Sequence, residues 1–384
     1  MSDPLRALLV GGPTYEPLYD QLDDFTATSG IRLEITVSRD HPDLNERIAR
    51  DVVTGRKRYD VISTHTSFAP SQAAGLTPLR ELENDLAAWA PATLEMARVE
   101  GRLLSLPRNL DVKLLHYRAD LIDAAPTTWE ELRTTAEAHT ADGHHGFAFT
   151  GRGSGLFGHV YELTAMFGAD LFEGSDASTL RVHADTGAAH RALQLLVDLA
   201  RESCDPRTPE WHDDDVTDAF LAGRAVMTTD GPGAWHRYRS APAVVSASTR
   251  TALLPVGTNG RHAYAGCHGF AIPTNAKNRA GAVKLLRFLT DPASQAFEAR
   301  LGTLPARVDA LASVTAEAAS GSVEATRREQ LRESVAAALV PPRHERYPEL
   351  EDLIWRAARR ALTGEQSVAD SSRSIDAAWS QAAV

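Results

Sequence analysis

Cysteine is nearly missing from this chain: its 384 residues include only Cys204 and Cys267. There is no CxxC pair and no metal-type Cys/His spacing, so a disulfide framework and a zinc module are excluded and two free thiols are expected. Long apolar runs are missing as well, and none approaches the roughly 18 residues a membrane span needs. A secretory leader pattern is also lacking, because Met1-Ser2-Asp3-Pro4 runs straight into an apolar strand with no basic or apolar region before it. Positive charge is not in excess: 40 Lys and Arg stand against 51 Asp and Glu, a formal net charge of -11. That balance argues against nucleic acid as a partner, since phosphate-backbone binders need a basic face. Internal repeats and low-complexity tracts are absent too. What remains is a globular composition, 43% hydrophobic and 24% charged. The length exceeds one ordinary core, so two domains are expected.

Taken in order, Leu5 to Val10 reads as a buried strand ended by Gly11-Gly12-Pro13. A helix follows with Leu18, Leu22 and Phe25 on one face, closed by Gly30. Ile31, Leu33, Ile35 and Val37 alternate as in a strand, and Leu44, Ile48 and Val52 mark a second helix ending at Gly55. Tyr59 to Thr64 is the third strand. Such βαβαβ order predicts a parallel sheet, and ligands of open α/β sheets sit beyond the carboxyl ends of the strands. That rule selects Pro13-Thr14-Tyr15 and Thr64-His65-Thr66. Later, Thr128 and Glu131 form a capping box, and Trp129, Leu132 and Ala136 make the buried face behind it. The stretch 263–307 reads as a short strand with Gly266 and Gly269 around Cys267 and His268. A helix with Ala282, Leu285, Leu286 and Leu289 on one face follows, then an Asp291-Pro292 break and a second helix. Residues 309–339 read as Ala-, Glu- and Arg-rich helix, broken by Pro341-Pro342, and the closing helix is stopped at Gly364.

Gly153 to Gly158 spells G-x-G-x-x-G after a strand, so a dinucleotide site is weighed. No clear second strand follows to carry a ribose-binding acid, since Glu173 and Asp176 sit in a turn; a glycine-rich binding loop is the better expectation. His212-Asp213-Asp214-Asp215 reads as a solvated turn or helix start, where carboxylates favour the helix dipole.

Several stretches together carry a resemblance. YDVISTHTSFAPSQAAGLTPLREL, GRLLSLPRNLDVKLLHYRADLID and PTTWEEL are three of them. AFLAGRAVM, DGPGAW and LTGEQS complete the set, in order along nearly the whole chain. They resemble the maltose-binding-like family 1 of extracellular solute-binding proteins, the substrate-binding subunits of ABC importers. In two places the pattern departs: Leu104 and His116 replace common aromatic residues, and one extra residue separates Gly231 from Trp235.

The resemblance implies an α/β, two-lobed periplasmic-binding-protein-like (type II) fold with hinge segments and an inter-lobe cleft. Lobe one is expected at 1–111 and 263–308, lobe two at 112–262 and 309–384, which puts the two cysteines in different lobes. The implied activity is capture of a small solute, a carbohydrate or polyol, by lobe closure, with no catalytic step and no cofactor. Implied partners are ABC permease subunits, with the protein itself a monomer. The implied location is extracytoplasmic if a leader has been removed. The alternative is a cytoplasmic relative with enzymatic or sensing function.

A sugar site needs carboxylate and amide groups beside a flat aromatic surface. Asn109, Asp111 and Asp230 are the candidates for the first, and Tyr15, Phe157 and Trp235 for the second. Thr64, His65, Cys267 and His268 complete the expected ligand-binding set. His65 and His268 lie at strand ends facing one cleft, but without a third positioned ligand no metal is expected. Arg108 and Arg152, near the same loops, leave room for an acidic ligand.

Overall fold

The computed structural model describes residues 3–39, 41–65, 67–141, 143–174 and 180–382. Thr66 and Asp176, two residues weighed above, lie outside the described residues. In chain order the first elements are β1 (Leu5–Val10), α1 (Leu22–Ser29), β2 (Leu33–Ser38), α2 (His41–Arg47), β3 (Val61–His65), β4 (Leu106–Asp111) and β5 (Leu114–Arg118). There follow α3 (Trp129–Ala138), β6 (His145–Ala148), α4 (Gly153–Met166), α5 (Gly187–Glu202), α6 (Asp213–Leu221), β7 (Ala225–Asp230) and β8 (Thr249–Ala252). The last stretch holds β9 (Gly266–Ala271), α7 (Arg279–Leu289), α8 (Pro292–Arg300), α9 (Val308–Glu317), α10 (Val323–Ala336), α11 (Tyr347–Leu362) and α12 (Val368–Ala382).

The chain divides into two compact units. One contains Met1–Asp111, Gly266–Ala318 and Arg343–Tyr347; the other contains Val112–Ala265, Ala319–Pro342 and Pro348–Val384. The expected boundary after 308 falls within α9, whose Ala310 and Val314 pack on Ala296 and Ala299 of α8. Helix α9 therefore stays with the first unit.

The first unit is built on a five-stranded sheet of order β2-β1-β3-β9-β4. β1 is parallel to β2 and to β3, whereas β9 is antiparallel to both β3 and β4. The carboxyl ends of β1 to β4 and the amino end of β9 therefore share one edge of the sheet. On one face, Ala282, Leu285, Leu286 and Leu289 of α7 are buried against Leu5, Ala7, Leu9, Val61, Phe270 and Ile272. The ends of the two helices here are defined by side chains: Asn278 accepts from the Gly281 N–H at 2.9 Å, and Asp291 from the Ser294 N–H at 2.7 Å. Pro292 occupies the first turn of α8, where its missing N–H costs nothing. Buried Asp60 joins β3 to this region, accepting the N–H groups of Arg6, Lys277 and Asn278.

The second unit carries a four-stranded sheet of order β8-β5-β7-β6. β5 is antiparallel to β7 and β8, while β7 and β6 run parallel. The capping box of α3 is present: Thr128 Oγ1 accepts from the Glu131 N–H at 3.1 Å, and the Glu131 carboxylate accepts from the Thr128 N–H at 3.3 Å. Cys204 and Cys267 are both free and buried.

Two local readings need correction. The glycine-rich run 153–158 is not a loop but the first turns of α4. Its glycines serve close packing, since a Cβ at Gly158 would lie 2.5 Å from the Tyr264 ring. Residues 309–339 are not one helix: α9 and α10 are separated where Gly321 takes a left-handed φ of 75°, and Ser322 caps the new helix by accepting from the Ala325 N–H at 3.1 Å. The alternation over 31–37 does give a strand, β2, which lies at the sheet edge with Ile35 and Val37 exposed.

Leu286→Ala removes a fully buried side chain from the face of α7. It is expected to destabilise the first unit by about 2–5 kcal/mol, read from its urea unfolding midpoint.

Candidate functional site

The shared strand edge of the first unit gathers the polar residues of interest. β1 leads into Tyr15, β2 into His41, β3 ends on His65, and β4 ends on Asn109-Leu110-Asp111. In β9, Gly266 pairs with Asp111 and His268 with both Asn109 and His65. Three imidazoles consequently meet. The ring centroids of His41 and His268 are 4.6 Å apart, those of His65 and His268 4.9 Å, and those of His41 and His65 6.2 Å. Tyr15 presents its ring edge-on to His41 at 5.6 Å and to His268 at 5.9 Å.

Each ring is oriented by a partner. The Tyr15 hydroxyl lies 2.5 Å from His41 Nε2. His65 Nδ1 accepts from the Ser67 N–H at 3.3 Å, which leaves the proton of its neutral ring on Nε2. His268 Nε2 lies 2.6 Å from Asp111 Oδ2, and Asn109 Nδ2 donates to Asp111 Oδ1 at 2.9 Å. Among the buried side-chain atoms without a partner in the described residues, His41 Nδ1 and Asn109 Oδ1 belong to this cluster. Gly266 is required here by close approach, because a Cβ there would sit 2.1 Å from His65 Nε2.

The electrostatics follow from burial and from like charge. Burial pushes His65 down to about 3, helped by charge on His268 and opposed by Asp111. Burial also holds His41 well below its ordinary value, reinforced by His268, His65 and Arg108. For Asp111 burial acts upward, but the charge and hydrogen bond of His268 outweigh it and the carboxyl lies below its usual range. Burial sets the Cys267 thiol well above its ordinary value, so it is no nucleophile. Arg108 is not a free cation for an acidic ligand. Its Nε and Nη2 both donate to Glu298, Nη2 to Oε2 at 2.7 Å, and the guanidinium carbon lies 5.7 Å from the centroid of the Tyr15 ring. Thr64 donates to Gln72 at 2.7 Å behind the cluster.

Of the expected set, the structure brings together Tyr15, Thr64, His65, Asn109, Asp111, Cys267 and His268. In the second unit, Asp230 ends β7 and its Oδ2 accepts from Tyr238 at 2.6 Å and Thr217 at 2.9 Å. Burial raises its carboxyl to about 6, against the pull of those donors. Phe157 and Trp235 are not surface platforms. Phe157 is fully buried, and Trp235 is 3% exposed, with the Arg327 guanidinium carbon 5.0 Å from its ring centroid. Both aromatic residues belong to the packing of the second unit.

Sequence reasoning missed His41. The rule that selected Tyr15 and His65 selects it too, because it starts the helix just beyond the carboxyl end of β2. It also missed a buried anchor on the segments that link the units. Lys113 follows the end of β4 and Tyr264 precedes β9. Glu162 of α4 accepts from Lys113 Nζ at 2.9 Å and from the Tyr264 N–H at 2.9 Å, with His159 Nδ1 at 3.0 Å. On the same helix, Tyr161 donates to the Val340 carbonyl at 3.1 Å. Burial acts upward on Glu162, but Lys113, His159 and the Tyr264 N–H hold it at about 2.

Comparison with known proteins places the fold. A family model described as bacterial extracellular solute-binding protein matches residues 20–322. A probable ABC transporter-binding protein of Deinococcus radiodurans is 25% identical over 225 residues, 55% of this chain and 53% of that relative. The match spans about half the length of the curated relatives, 53% and 56%. Among solved structures, maltose-bound MalE3 of T. maritima aligns with a TM-score of 0.88 at 27% identity, covering 97% of this chain and 98% of that one. A solute-binding protein of Agrobacterium radiobacter in complex with ribitol gives 0.84 at 20% identity, covering 98% and 97%. The fold shared with these structures is the two-lobed α/β fold of periplasmic solute-binding proteins.

Two outcomes follow. Gly266→Ala is expected to push the His65 ring aside and destabilise the first unit by about 1–3 kcal/mol, measured by thermal unfolding. Glu162→Gln leaves Lys113 without its charge partner and is expected to cost about 3–5 kcal/mol at pH 7. Because the Glu162 carboxyl titrates at about 2 in the fold against an ordinary 4.5, its contribution is complete above pH 4.5. It is lost as pH falls toward 2, so the stability gap between wild type and Glu162→Gln should close over that window.

Proposed function

The chain belongs to the bacterial extracellular solute-binding protein family, and from that premise we propose that it is the substrate-binding component of an ABC import system. Its solute is a small carbohydrate or polyol, its station extracytoplasmic, and its downstream partners are the permease subunits. The observation that carries the solute class is the wall at the strand edge of the first unit. Tyr15, His41, His65, Asn109, Asp111 and His268 offer both donors and acceptors there. Ligand hydroxyls, which donate and accept, match such a set, and the edge of an aromatic ring suits a sugar's C–H groups. MalE3 of T. maritima with maltose and the Agrobacterium protein with ribitol are similar proteins that hold molecules of this kind.

No covalent step belongs to this reading. Buried Cys267 is held as a thiol, and the imidazoles serve as hydrogen-bonding groups. Binding is coupled to lobe closure as a population shift, since a solute stabilises only the state in which all its contacts form. The competing reading, a cytoplasmic relative with enzymatic or sensing function, predicts turnover or a binding preference outside sugars and polyols.

Differential scanning fluorimetry with maltose, ribitol, D-mannitol and D-tagatose is expected to find at least one stabiliser. At a ligand concentration one hundred times Kd the gain is about 2.7 kcal/mol, a shift of several degrees in Tm. Silence across the sugars and polyols together with stabilisation by free amino acids would reject the carbohydrate reading.

A further inference from the structure

The ladder between β4 and β9 is irregular at one point. Asn109 lies opposite His268 and Pro107 opposite Gly269, so Arg108 is an extra residue on β4, a β-bulge. A bulge leaves its neighbours paired and re-aims its own side chain, and such features recur beside functional sites. Here the residue it re-aims is a buried cation, 4% exposed, directly before Asn109 and Asp111.

Helix α8 grips that bulge from two positions three residues apart, which share one helix face. Gln295 donates to the Pro107 carbonyl at 3.3 Å and accepts from the Arg307 N–H at 2.9 Å. Glu298, 2% exposed, takes the guanidinium, with Arg108 Nε 2.8 Å and Nη2 2.7 Å from Oε2. The carboxylate is itself fixed, because Gln21 donates to Oε1 at 3.0 Å. On its other side the guanidinium carbon lies 5.7 Å from the centroid of the Tyr15 ring, within the range of a cation–π contact. That ring carries the hydroxyl 2.5 Å from His41 Nε2 and meets His268 edge-on at 5.9 Å.

A second carboxylate is within electrical reach of Arg108. The guanidinium helps to hold the Asp111 carboxyl below its usual range and the His41 ring below its ordinary value. A buried guanidinium without a partner is costly, so one deprived of Glu298 turns to the nearest remaining anion. That anion is Asp111, whose two oxygens face Asn109 and His268.

We propose that Glu298 is a positioning residue of the strand-edge wall: by holding Arg108 it keeps the Tyr15 ring set against His41 and His268 and leaves Asp111 to the wall. This rests on the carbohydrate or polyol reading of that wall. It adds that affinity for the solute depends on a buried carboxylate of α8, outside the wall itself.

The first arm of the test needs no solute. NMR at pH 7.5 of the full chain labelled with 15N-histidine reads the ring nitrogens directly. In Glu298→Gln the His41 and His268 signals are expected to move, while those of His183 and His190 in the second unit stay. Unmoved His41 signals overturn the proposal.

The second arm is calorimetry with maltose, ribitol, D-mannitol and D-tagatose. Glu298→Gln is expected to weaken the tightest of the four by roughly tenfold, as the wall loses its preorganisation. Two further variants separate positioning from stability. Arg108→Met combined with Glu298→Gln leaves no unmatched charge, so it is expected to recover the thermal midpoint lost in Glu298→Gln while affinity stays low. Leu286→Ala, a lesion in the apolar core of the same unit, is expected to lower the midpoint and leave affinity unchanged. Wild-type affinity in the double variant overturns the proposal. So does a loss of affinity in Leu286→Ala equal to that in Glu298→Gln, because stability alone would then account for both. If none of the four solutes binds wild type, the carbohydrate reading fails, and the histidine signals still decide whether Glu298 sets the wall.

Discussion

The first unit depends on the pairing of two strands that arrive from distant parts of the chain. β4 is where the backbone leaves the unit, β9 is where it returns, and Gly266 lies opposite Asp111 at the point of exchange. That register sets His268 beside Asp111 and next to His65 on β3. It also forces glycine at 266, because the His65 ring occupies the space of a Cβ. A slip of one residue would turn His268 to the other face of the sheet, dissolving the imidazole cluster and exposing Cys267. Secondary structure, packing and candidate binding chemistry thus rest on one antiparallel ladder.

Buried charge in both units is handled in one way, by pairing each group with a fixed partner. Arg108 is matched by Glu298 and Lys113 by Glu162. Such pairs contribute little net stability, since desolvation offsets much of the attraction, but breaking one leaves a costly unmatched charge. Their value here is positional. Glu298 keeps the Arg108 guanidinium beside Tyr15, and Glu162 ties both Lys113 and Tyr264 to α4 where two linking segments enter the second unit.

Much of this was legible in local chemistry. Thr128 with Glu131, Asp291 with Pro292, and the left-handed glycines at 30 and 364 mark helix ends by mechanisms that need no tertiary context. The rule that ligands gather at the carboxyl ends of strands led to Tyr15 and His65. Where tertiary packing decides, the sequence was silent or misleading. Trp235 follows a motif whose aromatic residue often meets ligand, yet Arg327, nearly a hundred residues later in the chain, lies against its ring in the interior. Phe157 sits in a glycine-rich run that reads as a loop but begins a helix buried along most of its length. His41 carries no periodic signal at all, and its meeting with His65 and His268 is set by sheet order.

The most direct measurement of the central claim is a crystal structure grown at pH 7.5 with the solute that accompanies the protein through purification. The account predicts a hydroxyl-rich molecule with oxygens in hydrogen-bond reach of the His65 and His268 rings. A solute without hydroxyls at that wall, or one bound with the three imidazoles untouched, would contradict it.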